Sequence, residues 1–247
     1  MADIDRSKLS VSVVIPAYNE EKRISKTLPV IDAYFSSKGL SFEVIVVDDG
    51  SKDNTVGVVE RFIKDRNNVK LLKNGNNRGK GYSVKKGMLE ARGENILFSD
   101  ADLATPIQEY EKLAGWLQRG CDIAIGSRKI KDSNVLTPAS WSRRFVGVLA
   151  HVFISLLGLK PDIVDTQCGF KVFKKETARH IFSRQILDGG MFDVEIIYIA
   201  IRNNFKVKEV PVSWEHKDGS TINVLKCILF DPWDLIRVKI NYFLGRY

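Results

Sequence analysis

The feature that most restricts how this chain can fold is a strand–helix alternation repeated along its first half. Val11–Ile15, Glu43–Val47, Val69–Leu72 and Asn95–Ser99 are short runs rich in β-branched and apolar residues. Between and after them, Glu20–Ser36, Asn54–Arg66, Val84–Ala91 and Tyr110–Arg119 carry apolar residues at helical spacing, as in Ile24, Leu28, Ile31 and Phe35. Strands this short and apolar are those buried on both faces, which happens when helices cover both sides of a parallel sheet. The pattern predicts an α/β fold, with a Rossmann-like, mostly parallel, doubly wound sheet flanked by helices. Ligands of such sheets bind beyond the carboxyl ends of the strands. Pro16–Glu20, Asp48–Ser51 and Asp100–Asp102 all follow strands, so they are expected to form one site.

At 247 residues, 44% hydrophobic and 28% charged, the chain suits one domain with a sizeable core. No Pro/Gly/Ser-rich linker divides it. The expected organisation is a flexible segment over 1–10, a catalytic domain over 11–220 and an amphipathic helical segment over 221–247. In the second half, Ile123–Ile125, Phe170–Phe173 and Lys208–Val212 read as strands, Asp193–Arg202 as a helix and Lys129–Ser142 as a polar loop. A net charge of +8 suits an anionic partner such as nucleic acid, acidic lipid or a phosphorylated substrate. Cys121, Cys168 and Cys227 lack the number and spacing of a disulfide framework or zinc site, which fits a reducing compartment. Met1–Ser10 holds no apolar signal core. The apolar run Phe145–Leu159 is shorter than the roughly 20 residues a membrane span needs. The expected location is the cytoplasm, with contact to a membrane surface.

Asp100 and Asp102 flank a small residue at the end of a buried strand, where two carboxylates can hold a hard cation through oxygen. Asp48-Asp49-Gly50-Ser51 is either a turn or a set of acceptors for a nucleobase or ribose. Asn77-Arg78-Gly79-Lys80-Gly81 is either a flexible connector or a cradle of amides and cations for a diphosphate. It lacks the Walker spacing. His151, His180 and His216 are too scattered to suggest a metal cluster, and no Ser-His-Asp arrangement is readable. An RNA-binding module would need an aromatic stacking platform, and none is evident.

Taken in order, Pro16-Ala17-Tyr18-Asn19-Glu20, Val46-Val47-Asp48-Asp49-Gly50-Ser51, Asn77-Arg78-Gly79-Lys80-Gly81 and Asp100-Ala101-Asp102 resemble the signature of family 2 glycosyltransferases. Gly126-Ser127-Arg128, Asp165-Thr166-Gln167-Cys168-Gly169-Phe170-Lys171-Val172-Phe173 and Phe192-Asp193-Val194-Glu195 narrow the resemblance to the polyprenyl-phosphate branch. That branch includes the dolichyl-phosphate β-glucosyltransferases and mannose synthases. The resemblance runs from about Val11 onward and implies the GT-A fold. It implies that Pro16, Ala17, Tyr18, Glu20, Val47, Asp48 and Asp49 line the nucleoside pocket. By the same resemblance Lys80, Asp100 and Ala101 lie near the ribose and diphosphate. Asp102, helped by Asp100, would hold Mg²⁺ or Mn²⁺. Arg128 would stand between donor and acceptor phosphates, and Arg143, Arg144 and Lys171 would hold the acceptor phosphate. Asp193 and Glu195 are read as base or orienting groups or as structural carboxylates, the structural reading being preferred for Glu195. Ala104 stands where mannose synthases commonly carry glutamine, which leaves the rest of the metal shell open and weighs against GDP-mannose.

The chemistry so implied is an inverting displacement. A lipid monophosphate, with its second pKa near about 6, is already largely ionised at neutral pH. It can attack the anomeric carbon of a nucleotide-sugar, most simply UDP-glucose, while the protein positions both groups and stabilises charge. The expected partners are a nucleotide-sugar donor, a polyprenyl or dolichyl phosphate acceptor and the cytoplasmic face of a membrane, with no nucleic acid. Two basic-flanked apolar helices and the boundary residues Trp141 and Trp233 favour that surface. Three other readings stay open: GDP-mannose as donor, extension of a glycan, and a non-catalytic membrane-surface module.

Overall fold

In the computed structural model of the chain, residues 9–137, 163–217 and 224–247 are described, without the side chains of 137 and 224–231. Nine strands and seven α-helices are found among them. The strands are β1 (Val11–Ala17), β2 (Phe42–Asp48), β3 (Val69–Lys73), β4 (Asn95–Ser99), β5 (Ile123–Ser127), β6 (Asn134–Thr137), β7 (Phe170–Lys174), β8 (Val207–Pro211) and β9 (Ser213–Glu215). The helices are α1 (Glu21–Ser37), α2 (Thr55–Ile63), α3 (Lys80–Glu90), α4 (Tyr110–Gln118), α5 (Lys175–Arg184), α6 (Phe192–Arg202) and α7 (Val224–Phe243). Trp141, Arg143, Arg144, His151 and the Phe145–Leu159 run lie outside the described residues, as does the side chain of Cys227.

Seven strands form one sheet in the order β3-β2-β1-β4-β7-β5-β8. All neighbours are parallel except β7, which runs antiparallel to both β4 and β5. The sheet is thus mostly parallel, as expected. Successive residues of a strand face opposite sides, and the core divides accordingly. Val14, Ile45, Val47 and Phe98 pack under α3, α5, α6 and α7, whereas Val13, Ile15, Val44 and Leu97 pack under α1, α2 and α4. Helix α1 shows how the spacing works: Ile24, Leu28, Ile31 and Phe35 are buried along one stripe. Its Pro29 falls on the exposed side, where water can take the carbonyl that proline leaves unbonded.

The structure departs from the sequence reading in the second half. The polar stretch expected to be a loop contains β6, which pairs parallel with β9 in a separate two-stranded sheet. Helix α5 was not expected. Helix α3 begins at Lys80, inside the stretch read as loop. Helix α7 is apolar on two sides. Leu235 and Val238 join the core under the sheet, while Trp233, Ile240 and Phe243, with Leu244 just beyond, face outward. No helix among the described residues is long and apolar enough to cross a membrane.

Candidate active site

Strand direction gathers the site. Because β1, β2 and β4 are parallel, their carboxyl ends bring Ala17, Asp48 and Ser99 to one edge of the sheet. Strand β5 runs the same way as β4, so Arg128 emerges at that edge too. Antiparallel β7 starts there, delivering Asp165, Cys168 and Gly169 from the opposite chain direction. Residues far apart in sequence therefore share one rim.

The loops at this rim are held by specific hydrogen bonds. The Asp49 N–H donates to the Ala17 carbonyl (2.8 Å), and Asn19, at φ 56°, donates from its N–H to Ser51 Oγ (3.0 Å). The Asp48 carboxylate accepts from the Gly50 and Ser51 amides at 3.1–3.3 Å. Gly50 is at φ 75°, and a Cβ there would stand 2.6 Å from the Asn76 carbonyl carbon, so this close approach requires glycine. Asp49 is buried and accepts from Asn74 Nδ2 (2.8 Å), Arg78 N (2.9 Å) and Gly79 N (2.8 Å). Both acids expected to face a base or ribose are bonded to the loops: Asp48 holds the turn at Gly50–Ser51, and Asp49 holds Asn74 and the turn that begins α3. Val47 is buried in the sheet, and Pro16 and Tyr18 are half-buried at the strand end.

Asp100 and Asp102 follow β4, as the sequence led us to expect. Each has a cation beside it: Lys80 Nζ lies 2.6 Å from Asp100 Oδ1, and Arg23 lies 3.7 Å from Asp102 Oδ2. Arg23 also pairs with Glu20 at 2.8 Å. The Ala101 carbonyl accepts from Thr27 Oγ1 (2.7 Å), and the Asp102 carboxylate accepts from the Ala104 N–H (3.0 Å). Gly169 closes on the pair, where a Cβ would fall 1.9 Å from Asp100 Oδ2. Burial and the charge of Asp100 push the Asp102 carboxyl up. Burial pushes Glu20 up to about 7; Arg23 opposes this, and Asp102, Asp100 and Asp53 add to it. Burial works against the charge of Lys80, but Asp100, Asp193 and Asp102 outweigh it and hold the ammonium above its usual range.

Lys171 and Asp193 lie beneath this layer rather than on it. Lys171 is 0% exposed; its ammonium donates to Asp193 and to the Cys168 carbonyl (2.7 Å). In this arrangement Lys171 points to Asp193 rather than to an open phosphate site. Burial raises the Asp193 carboxyl, although Lys171 and Lys80 oppose it. Arg128 follows β5, which is separated from β4 by β7 in the sheet. Its guanidinium makes two 2.7 Å bonds to Asp165, its N–H a third of 2.9 Å, and it lies over the Trp214 ring at 5.5 Å. Asp165 is 0% exposed, and Arg128 holds its carboxyl below the usual range against the effect of burial. Glu209 on β8 accepts from the Val164 and Asp165 amides and so fixes Asp165 in turn.

Chemically, this is a hard-oxygen pair with cations on both flanks, which suits a divalent ion bridging the protein and a diphosphate. Among the described residues no group of three or more His, Cys, Asp or Glu could hold a metal. The two carboxylates of Asp100 and Asp102 would supply hard oxygen ligands of the kind such an ion takes. Sequence reasoning missed Arg23, Gly169, Glu209 and Trp214 as parts of the site. Only Gly169 lay inside a motif that could have flagged it.

The sequence profile of glycosyl transferase family 2 matches residues 12–182, well over half of the chain. The chain belongs to that family. This family 2 glycosyltransferase is 36% identical to the dolichyl-phosphate beta-glucosyltransferase of Dictyostelium discoideum over 247 residues, 95% of this chain and 75% of the relative. To the protein of the same description from Homo sapiens it is 34% identical, over 98% of this chain and 79% of the relative. Its fold is that of mannosyl-3-phosphoglycerate synthase from Rubrobacter xylanophilus, with a TM-score of 0.70 at 18% identity, covering 97% and 76% of the two chains. Glucosyl-3-phosphoglycerate synthase from Mycobacterium tuberculosis, solved with Mn²⁺, UDP and glucosyl-3-phosphoglycerate, has a TM-score of 0.68 at 17% identity, covering 98% and 81%. The fold is thus GT-A, as the motif resemblance implied.

Proposed function

We propose that this glycosyltransferase moves glucose from UDP-glucose onto dolichyl phosphate, or a polyprenyl phosphate like it, with inversion at the anomeric carbon. The observation that carries the reading is positional. Asp100 and Asp102, with Lys80, stand beside Arg128 on one sheet edge, in a chain whose near-full-length relatives are described as dolichyl-phosphate beta-glucosyltransferases. The fold relative solved with UDP and Mn²⁺ supports a uridine donor and a divalent ion.

Each residue then has a task. Pro16, Ala17, Tyr18 and Glu20 border the nucleoside, and Asp48 and Asp49 hold the loops around it. Lys80 offers its charge to the donor diphosphate. Mg²⁺ or Mn²⁺, held by Asp102 and Asp100, supplies charge neutralisation to the leaving nucleoside diphosphate when bound. Arg128, preset by Asp165, orients the acceptor phosphate, joined by Arg143 and Arg144. The acceptor oxygen is already ionised near neutral pH, so no side chain need remove a proton from it. Asp193 accordingly serves as an orienting group, holding Lys171 beneath Lys80 and Asp100.

The lipid acceptor calls for a membrane surface, and α7 offers one. Trp233, Ile240, Phe243 and Leu244 form an outward apolar stripe, with Trp233 62% and Phe243 73% exposed. Arg237 lies among them and Lys239 beside them. Such a helix suits the interfacial layer of an anionic cytoplasmic leaflet.

The test is a panel of labelled UDP- and GDP-sugars with a short polyprenyl phosphate and Mn²⁺, followed by lipid extraction. Label from UDP-glucose should enter the lipid phase. Label from GDP-mannose alone would replace the donor assignment, and failure of every donor with folded protein would overturn the reading.

A further inference from the structure

Glu195 is the most conspicuous buried charge that the proposed chemistry leaves unused. It sits in the first turn of α6, 0% exposed, and its carboxylate has three donors. These are the Ile186 N–H (3.0 Å), the Leu187 N–H (2.8 Å) and the Tyr247 hydroxyl (2.6 Å). A buried carboxylate is costly unless its hydrogen bonds are complete, and a complete network fixes the geometry of the groups it holds.

What this network holds is the segment 185–189, which wraps the turn carrying Lys80. Gln185 Nε2 donates to the Gly81 carbonyl (2.9 Å) and the Leu187 carbonyl (2.7 Å). The Tyr82 N–H donates to the Asp188 carbonyl (3.2 Å), and Lys85 donates to the Gln185 carbonyl (2.7 Å). The fit leaves no room for side chains. A Cβ on Gly79, which is at φ 107°, would fall 2.4 Å from the Asp188 oxygen, and one on Gly81 would fall 2.6 Å from the Leu187 oxygen. Asp49 grips the same turn from the other side through the Arg78 and Gly79 amides. Lys80, next in the chain, reaches Asp100 at 2.6 Å. A continuous set of contacts therefore runs from Tyr247, through Glu195 and the 185–189 segment, to the ammonium beside the carboxylate pair.

We infer that Glu195 and Tyr247 are positioning residues of the donor site, setting where Lys80 stands by holding the segment that packs against its turn. The inference rests on the reading of Lys80 as a donor-phosphate contact. It assigns the tail beyond α7 a role in nucleotide binding.

The test uses Tyr247→Phe, which removes only the hydroxyl and keeps the ring that packs on Tyr198 at 6.4 Å between centroids. Glu195→Gln is the second variant. Calorimetry with UDP and Mn²⁺ and steady-state kinetics are run on the wild-type chain and both variants. The expected result is a rise of about tenfold in the nucleotide Kd and the donor KM, the scale of one charge-assisted hydrogen bond, with the acceptor KM unchanged. A role confined to stability would lower Tm and leave the donor KM of the folded fraction alone. That outcome in Tyr247→Phe overturns the inference even where Glu195→Gln fails to fold. A wild-type chain that binds no UDP would overturn the donor-site reading and this inference together. Equal binding by wild type and variants would overturn the inference alone.

Discussion

At the scale of single residues, the site works by placing like charges together and surrounding them with cations. Glu20 reports on this most clearly, because its carboxyl is pushed from 4.5 to about 7 by burial, with nearby acids adding to the effect. The folded state therefore keeps a proton that the unfolded chain loses above about 4.5. Stability should fall as pH rises from about 4.5 to 7, and Glu20→Gln should remove that slope. Chemical denaturation at a series of pH values should find the variant equal to wild type below pH 4.5 and more stable, by up to about 3 kcal/mol, above pH 7. A constant difference across the series would count against the burial of charge at Glu20. Gly169 is a steric counterpart. With its Cβ position 1.9 Å from Asp100 Oδ2, Gly169→Ala must displace the carboxylate or the start of β7. Metal-dependent UDP binding should weaken by roughly one to two orders of magnitude while circular dichroism stays native; unchanged binding would show that Asp100 is free to move. The acids of this site were legible as residue types, because strand ends concentrate ligands. Of their partners, Lys80 was legible within its motif and Arg23 was not. Arg23 sits in a helix whose spacing marks only its buried face, and nothing in sequence marks the outward residue that reaches Asp102.

At the scale of elements, the first half was readable apart from the start of α3, and in the second half β5, β7, β8 and α6 were readable while β6, β9 and α5 were not. Strands β1, β2 and β4 are short and mostly apolar, and α1, α2 and α4 show helical spacing, so propensity and pattern agree. Helix α5 hid because Lys175–Arg184 is strongly polar, with only Thr177, Ala178, Ile181 and Phe182 buried. Strands β6 and β9 are short and lie on a separate small sheet, where no buried run announces them. The antiparallel course of β7 is a matter of topology, which spacing does not encode. That reversal is what brings Lys171 against Asp193 at the start of α6. Replacing Lys171 by Met should leave Asp193 buried without its cation and cost about 3–5 kcal/mol in urea unfolding. Adding Asp193→Asn should recover much of that loss. A single substitution that costs nothing would mean the pair contributes no net charge compensation.

At the scale of the whole molecule, the proposed function puts the chemistry at the sheet edge and the route to the lipid at α7. The sequence showed the tail to be apolar and basic, but only the fold separates its inner residues, Leu235 and Val238, from its outer ones. Trp233→Ser with Phe243→Ser should reduce co-sedimentation with anionic phosphatidylserine vesicles several-fold, leaving Tm and UDP binding unchanged. Equal sedimentation would remove α7 from the membrane account. The motif order, the family profile and the GT-A sheet agree on a glycosyltransferase; the sugar and acceptor rest on the near-full-length relatives described as dolichyl-phosphate beta-glucosyltransferases. The most direct measurement is the anomeric configuration of the lipid product, read by NMR after incubation of the chain with UDP-glucose, Mn²⁺ and a polyprenyl phosphate. A β-linked glucosyl phosphate is the predicted product of one displacement on the α-linked donor. An α-linked product, or glucose attached anywhere but the lipid phosphate, would contradict the account.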